Sequence, residues 1–160
     1  MTYGPGGSGG PRILLVEDDD GDALLVKACL AEAGIPDDSV LRCRTLSEAG
    51  ASLAARPQCI LLDLGLPDAA GLDALTRIVG MEPDVPVIVL TGRHGQTGTE
   101  ALALGAQDYL VKDDITADML NRSIRYALER MRAQRTSRQL REARLSAAEQ
   151  SRLERGLLAS

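Results

Sequence analysis

No phenylalanine and no tryptophan occur in this chain of 160 residues, and tyrosine stands only at positions 3, 109 and 126. A core without large rings must be aliphatic, built from Leu, Val, Ile and Ala. No stretch approaches the roughly 18 consecutive apolar residues of a membrane-spanning helix, which excludes that role. The three cysteines, Cys29, Cys43 and Cys59, are odd in number and lack zinc-like spacing, so they read as reduced, buried thiols of a cytoplasmic protein. Histidine occurs once, as His94 in a Gly-flanked segment, and reads as an exposed loop side chain. The first eleven residues are rich in Gly and Pro without the basic or apolar regions of a signal peptide, and are expected to form a flexible leader.

Charge of one sign is also missing locally. Residues 1–120 carry 8 Lys/Arg against 19 Asp/Glu, whereas residues 121–160 carry 10 Arg against 4 Glu. An acidic body that would attract cations is thus joined to a separate basic element.

Short apolar runs recur at 12–17, 39–44, 58–63, 86–91 and 107–111, with helix-period segments between them at about 20–33, 46–55, 71–80 and 97–105. Five such alternations predict a parallel sheet covered on both faces. Gly34-Ile35-Pro36 is expected to end the first helix and Gly105 the fourth. From Thr116 to Arg155 there is neither Gly nor Pro. About 40 helical residues would reach ~60 Å, more than a domain of this size can cover. The early part of that helix, with Met119, Leu120, Ile124, Ala127 and Leu128, should dock on the sheet. The later part has a thinner seam through Ala133, Thr136, Leu140, Ala143, Ala147, Gln150, Glu154 and Leu157, compatible with a paired helix but not a strong zipper.

Ligands of such sheets sit at the carboxyl ends of the strands, and both acidic clusters fall there. Asp63 ends Cys59-Ile60-Leu61-Leu62 and precedes Leu64-Gly65-Leu66-Pro67-Asp68-Ala69-Ala70-Gly71. Glu17-Asp18-Asp19-Asp20 ends Ile13-Leu14-Leu15-Val16. Carboxylates from two strand ends that meet in space would hold a hard divalent cation and prepare one of them to accept a phosphoryl group. Glu17-Asp18 and Asp18-Asp19 both satisfy a two-carboxylate rule. The first is preferred because Glu17 directly follows the strand, leaving Asp19 or Asp20 to cap the next helix.

In combination these motifs resemble the response-regulator receiver domain of two-component signalling, over about residues 12–130. Asp63-x-x-Leu66-Pro67-x-x-x-Gly71 is similar to its phosphoacceptor loop, and Val16-Glu17-Asp18 to its acidic pair. Val89-Leu90-Thr91-Gly92 is similar to the end of its fourth strand, and Gly105-Ala106-Gln107-Asp108-Tyr109-Leu110-Val111-Lys112 to its fifth-strand element. The resemblance implies a flavodoxin-like (βα)5 fold with strand order 2-1-3-4-5. It implies Asp63 as phosphoacceptor for a sensor histidine kinase, with Mg²⁺ held by Asp18, Asp63, the Gly65 backbone carbonyl and, through water, Glu17. Lys112 and Thr91 would contact the phosphoryl oxygens, and Thr91 with Tyr109 would form the switch, although Tyr109 taken alone is ordinary packing. The small residues Gly92 and Gly95 would leave the loop after Thr91 open to the donor.

One departure stands out: receivers usually follow this lysine with a cis proline, whereas Asp113 follows Lys112 here. A non-proline cis bond is costly, so a trans turn is expected. Residues 131–160 are expected to form a helical extension that pairs two copies of the chain and relays the change to an output domain or partner. Ser151-Arg152-Leu153-Glu154-Arg155-Gly156-Leu157-Leu158 resembles the junction that precedes a serine phosphatase domain in receiver–phosphatase fusions. Two rival readings fit the sequence less well. A phosphohydrolase of the haloacid-dehalogenase type wants a second Asp where Gly65 stands. A nucleic-acid-binding regulator would rest on the Arg-rich face of 122–144 alone. The expectation is a signalling switch, not an enzyme.

Overall fold

The computed structural model describes residues 11–92 and 97–158. Most of the expected leader, together with His94 and Gly95, lies outside these residues. Within them β1 (Ile13–Val16), α1 (Asp20–Glu32), β2 (Val40–Cys43), α2 (Leu46–Ser52) and β3 (Cys59–Asp63) come first. A short pair follows, β4 (Gly65–Leu66) and β5 (Ala69–Ala70), and then α3 (Leu72–Met81), β6 (Val87–Thr91), α4 (Thr97–Ala103), β7 (Asp108–Val111) and α5 (Ala117–Leu158). The main sheet is parallel, in the order β2-β1-β3-β6-β7. This is the expected flavodoxin-like order, with β4 and β5 interposed only in the numbering.

Strand periodicity explains how an aliphatic chain covers both faces. Leu14, Val16, Ile60, Leu62, Val87 and Val89 pack with Leu46, Ala49, Leu75, Ile78 and Ala101, the layer of α2, α3 and α4. The alternate residues Ile13, Leu15, Cys59, Leu61, Ile88 and Leu90 pack with Ala23, Val26, Leu30, Leu120, Ile124 and Ala127, the layer of α1 and the start of α5. Side chains at i and i+2 share a face, so one run of aliphatics supplies two cores. Burial pushes the thiols of Cys43 and Cys59 up to about 12, as inert core groups. Cys29, expected to be buried with them, is only partly covered.

Local chemistry ends the helices where the sequence suggested. Gly34 and Gly105 take the left-handed φ values of +92° and +108° that side chains resist. Asp19 is the N-cap of α1, its carboxylate accepting from Asp22 N. Thr45 caps α2 by accepting from Glu48 N, and Glu48 accepts in turn from Arg44 N. Two features differ from expectation. The segment after Asp63 is not plain loop but a two-residue antiparallel ladder, because Leu66 and Ala69 both bury their side chains. The second helix stops at Ser52 and continues as a 3-10 turn over Leu53–Ala55, with Arg56 in the left-handed region at φ 55°.

The chain divides into two compact units, Met1–Leu128 and Glu129–Ser160. In the second, Leu140, Leu145, Leu153 and Leu157 are all exposed. Among the described residues no helix is long and apolar enough to cross a membrane.

Candidate functional site

Register brings the strand ends into line. Val16 of β1 pairs with Leu62 of β3, so Glu17 and Asp63 project from the same level of the sheet edge. Asp63 then pairs with Leu90, and Thr91 with Val111, the residue before Lys112. Residues distant in sequence are thus delivered to one rim by hydrogen-bonded pairing alone.

At that rim Glu17, Asp18 and Asp63 each present a carboxylate oxygen, all within 4.8 Å of one another. The Lys112 ammonium lies 2.8 Å from Glu17 Oε2, 2.8 Å from Asp63 Oδ1 and 3.1 Å from Asp22 Oδ2. Glu17 is fully buried, and its other oxygen, Oε1, accepts from Asp19 N at 3.1 Å. Three acidic oxygen donors around one point suit a hard divalent cation such as Mg²⁺. Gly65 begins beside this group, since a Cβ there would lie 3.4 Å from Asp63 Oδ2. Thr91 is buried, and its hydroxyl has no hydrogen-bond partner among the described residues. A buried polar atom left so is costly, which fits a site built to receive another acceptor.

Burial, reinforced by the charge of Asp63, raises the Glu17 carboxyl to about 7 despite its hydrogen bond with Lys112. Burial disfavours the Lys112 ammonium, but its hydrogen bonds to Asp63 and Glu17 outweigh that, and its pKa lies above the ordinary lysine value. Lys112 opens a 3-10 turn, Lys112–Asp114, and no described peptide bond is cis, so the Lys112–Asp113 link is trans as expected. Tyr109 is half buried against the aliphatic cluster under α4, where a Cβ on Gly98 would overlap its ring.

With four strand ends delivering this constellation, residues 13–125 match the response regulator receiver domain family. The chain belongs to that family. Receiver domains are the phosphoacceptor signalling domains of two-component systems. The receiver is 39% identical over 119 residues to the regulatory protein LuxO of Vibrio vulnificus, which covers 72% of this chain and 25% of that protein. It is 40% identical over 124 residues to the transcriptional regulatory protein BasR of Escherichia coli, covering 74% of this chain and 53% of that one. The chain therefore spans only about a quarter to a half of these relatives. Among solved structures, the receiver domain of a LuxO repressor protein from Vibrio parahaemolyticus superposes with a TM-score of 0.67 at 31% identity, over 79% of this chain and 96% of that one.

This receiver also has site neighbours that the sequence reading missed. Asp22, in the first turn of α1, places its carboxylate 3.1 Å from the Lys112 ammonium. Asp68 accepts from the backbone N–H groups of Leu46 and Ser47 at 2.9 and 3.0 Å, tying the loop after Asp63 to the start of α2. Arg42 of β2 and Arg44, just beyond that strand, reach across to the acidic run that follows β1. Their spacing of two residues within the expected strand run 39–44 was the available signal.

Proposed function

We propose that this receiver is a phosphorylation switch in which Asp63 accepts a phosphoryl group from a phosphohistidine of a sensor histidine kinase. A carboxylate oxygen of Asp63 attacks phosphorus, the bond from phosphorus to the donor imidazole nitrogen breaks, and the leaving imidazole keeps its electron pair. The chain meets the repulsion between an anionic donor and an acidic pocket with its own cation, the Lys112 ammonium 2.8 Å from Asp63. That contact, shared with buried Glu17, is the observation that carries the reading. Asp18, Asp63, the Gly65 carbonyl and, through water, Glu17 would hold Mg²⁺, which when bound neutralises charge on the phosphoryl oxygens. Thr91 then donates its hydroxyl to the attached group, and the ring of Tyr109 turns inward to fill the space that Thr91 leaves. The added charge of about −1.5 to −2 is the signal. It is passed through α5, whose later part pairs two copies and engages an output domain or partner. The phosphatase-like junction at 151–158 supports a serine phosphatase as that output.

Acetyl phosphate with Mg²⁺, read by intact mass, tests the first step. One phosphoryl group is expected on the wild type, and none on Asp63→Asn or in the presence of EDTA. Equal labelling of the mutant would move the acceptor elsewhere.

A further inference from the structure

Four consecutive acids leave β1, yet the cation site draws on only the first two, Glu17 and Asp18. The other two are occupied. Asp19 caps α1. Asp20 is drawn toward β2, where its Oδ1 accepts from Arg42 Nη1 at 2.7 Å and from Arg44 Nη2 at 2.6 Å.

The same two side chains grip the backbone of the run. Arg42 donates from Nε and Nη2 to the Glu17 carbonyl oxygen, at 3.1 and 2.9 Å. Arg44 Nη1 adds a longer contact of 3.4 Å to the Asp18 carbonyl. The Arg42 side chain is 17% exposed against 52% for Arg44, so Arg42 is the one held in a single geometry. Glu17 N donates to Cys43 O, which puts Glu17 between its own ladder bond and the guanidinium fork. A planar fork with several donors can hold a carbonyl and a carboxylate together, whereas an ammonium cannot reproduce that arrangement.

We propose that Arg42 is a positioning residue for the receiver's cation site. By clamping the Glu17 carbonyl and drawing Asp20 aside, it selects which carboxylates of the acidic run face Asp63. This rests on the reading of Glu17, Asp18 and Asp63 as a divalent-cation site. Groups that orient metal ligands commonly change metal affinity by about 10–100-fold when removed.

The sign of the effect separates positioning from simple charge. A guanidinium near the site repels a divalent cation, so by Coulomb's law alone its removal should tighten binding. Loss of positioning should weaken it. The test is Mn²⁺ titration of the full chain, with free Mn²⁺ read by electron paramagnetic resonance and folding checked by thermal unfolding. Arg42→Ala is expected to bind Mn²⁺ at least about tenfold more weakly than wild type. Arg42→Lys, which keeps the charge but loses the fork, should fall in between. If Arg42→Ala does not fold, the Lys variant decides alone, and wild-type affinity in it overturns the proposal. Unchanged or tighter binding in Arg42→Ala, even with a lowered melting temperature, overturns the positioning role and leaves the cation site standing. A wild type whose Mn²⁺ binding is absent, or is unaffected by Asp18→Asn, overturns both.

Discussion

Glu17 is the side chain on which charge and burial meet, beside the proposed cation site. It is fully buried, and its carboxyl is raised from the ordinary 4.5 to about 7. A group with a raised folded pKa contributes stability in full below its unfolded pKa, and loses that contribution as pH rises through the folded value. In EDTA, the Glu17 contribution should therefore decline from about pH 4.5 to about pH 7. Denaturant unfolding of wild type and Glu17→Gln across this window checks it. The mutant should gain relative to wild type as pH rises, and a constant difference would count against the shift. The position of Glu17 was legible as the first residue past an apolar strand. So was the capping role of Asp19, expected of it or of Asp20. The diversion of Asp20 was not, because what holds it is the guanidinium groups of Arg42 and Arg44, known only once β1 and β2 are paired in register.

Tyr109 and α4 show the same division at the scale of elements. Apolar runs announced β7 and α4 as a strand and a helix, but periodicity says nothing of the space between them. The ring of Tyr109 lies where a side chain on Gly98 would be. Gly98→Ala would ordinarily stabilise a helix by up to about 1 kcal/mol. Here the methyl meets the ring, and overpacking of this kind costs about 1–3 kcal/mol. The second effect should win, with a net loss of about 1–2 kcal/mol in chemical denaturation. In a Tyr109→Ala background the obstacle is gone, and the same substitution should become neutral or stabilising. A loss of equal size in both backgrounds would mean that the ring is not what Gly98 accommodates. The β4–β5 ladder escaped sequence reading for a related reason. Two residues per strand carry no period, and the pairing exists because Leu66 and Ala69 reach the core.

Across the whole molecule the change from acidic to basic composition near residue 120 announced a second element, and the compact units divide at Leu128 and Glu129. The sequence could not place that division to the residue, since helical periodicity runs on through it and α5 is unbroken from Ala117 to Leu158. Both core clusters draw all their residues from before position 129. Met131 is buried as well, so a chain ending at residue 132 should keep the receiver fold, with a cooperative unfolding transition and Asp63 labelling by acetyl phosphate at the wild-type extent. What it should lose is self-association. The exposed Leu140 and Leu157 share the 3-4 seam of the second unit with Gln150 and Glu154. Polar residues at seam positions weaken a coiled coil while still permitting one. Pairing of the full chain is thus expected at micromolar strength, about −8 kcal/mol, and not at nanomolar strength. Sedimentation velocity across a concentration series, with and without a beryllofluoride phosphate mimic, reads this directly. The full chain should shift toward dimer on raising concentration, further so with the mimic, while the shortened chain stays monomeric throughout. Dimerisation that survived the deletion would assign pairing to the receiver itself and leave the basic helix for a different partner.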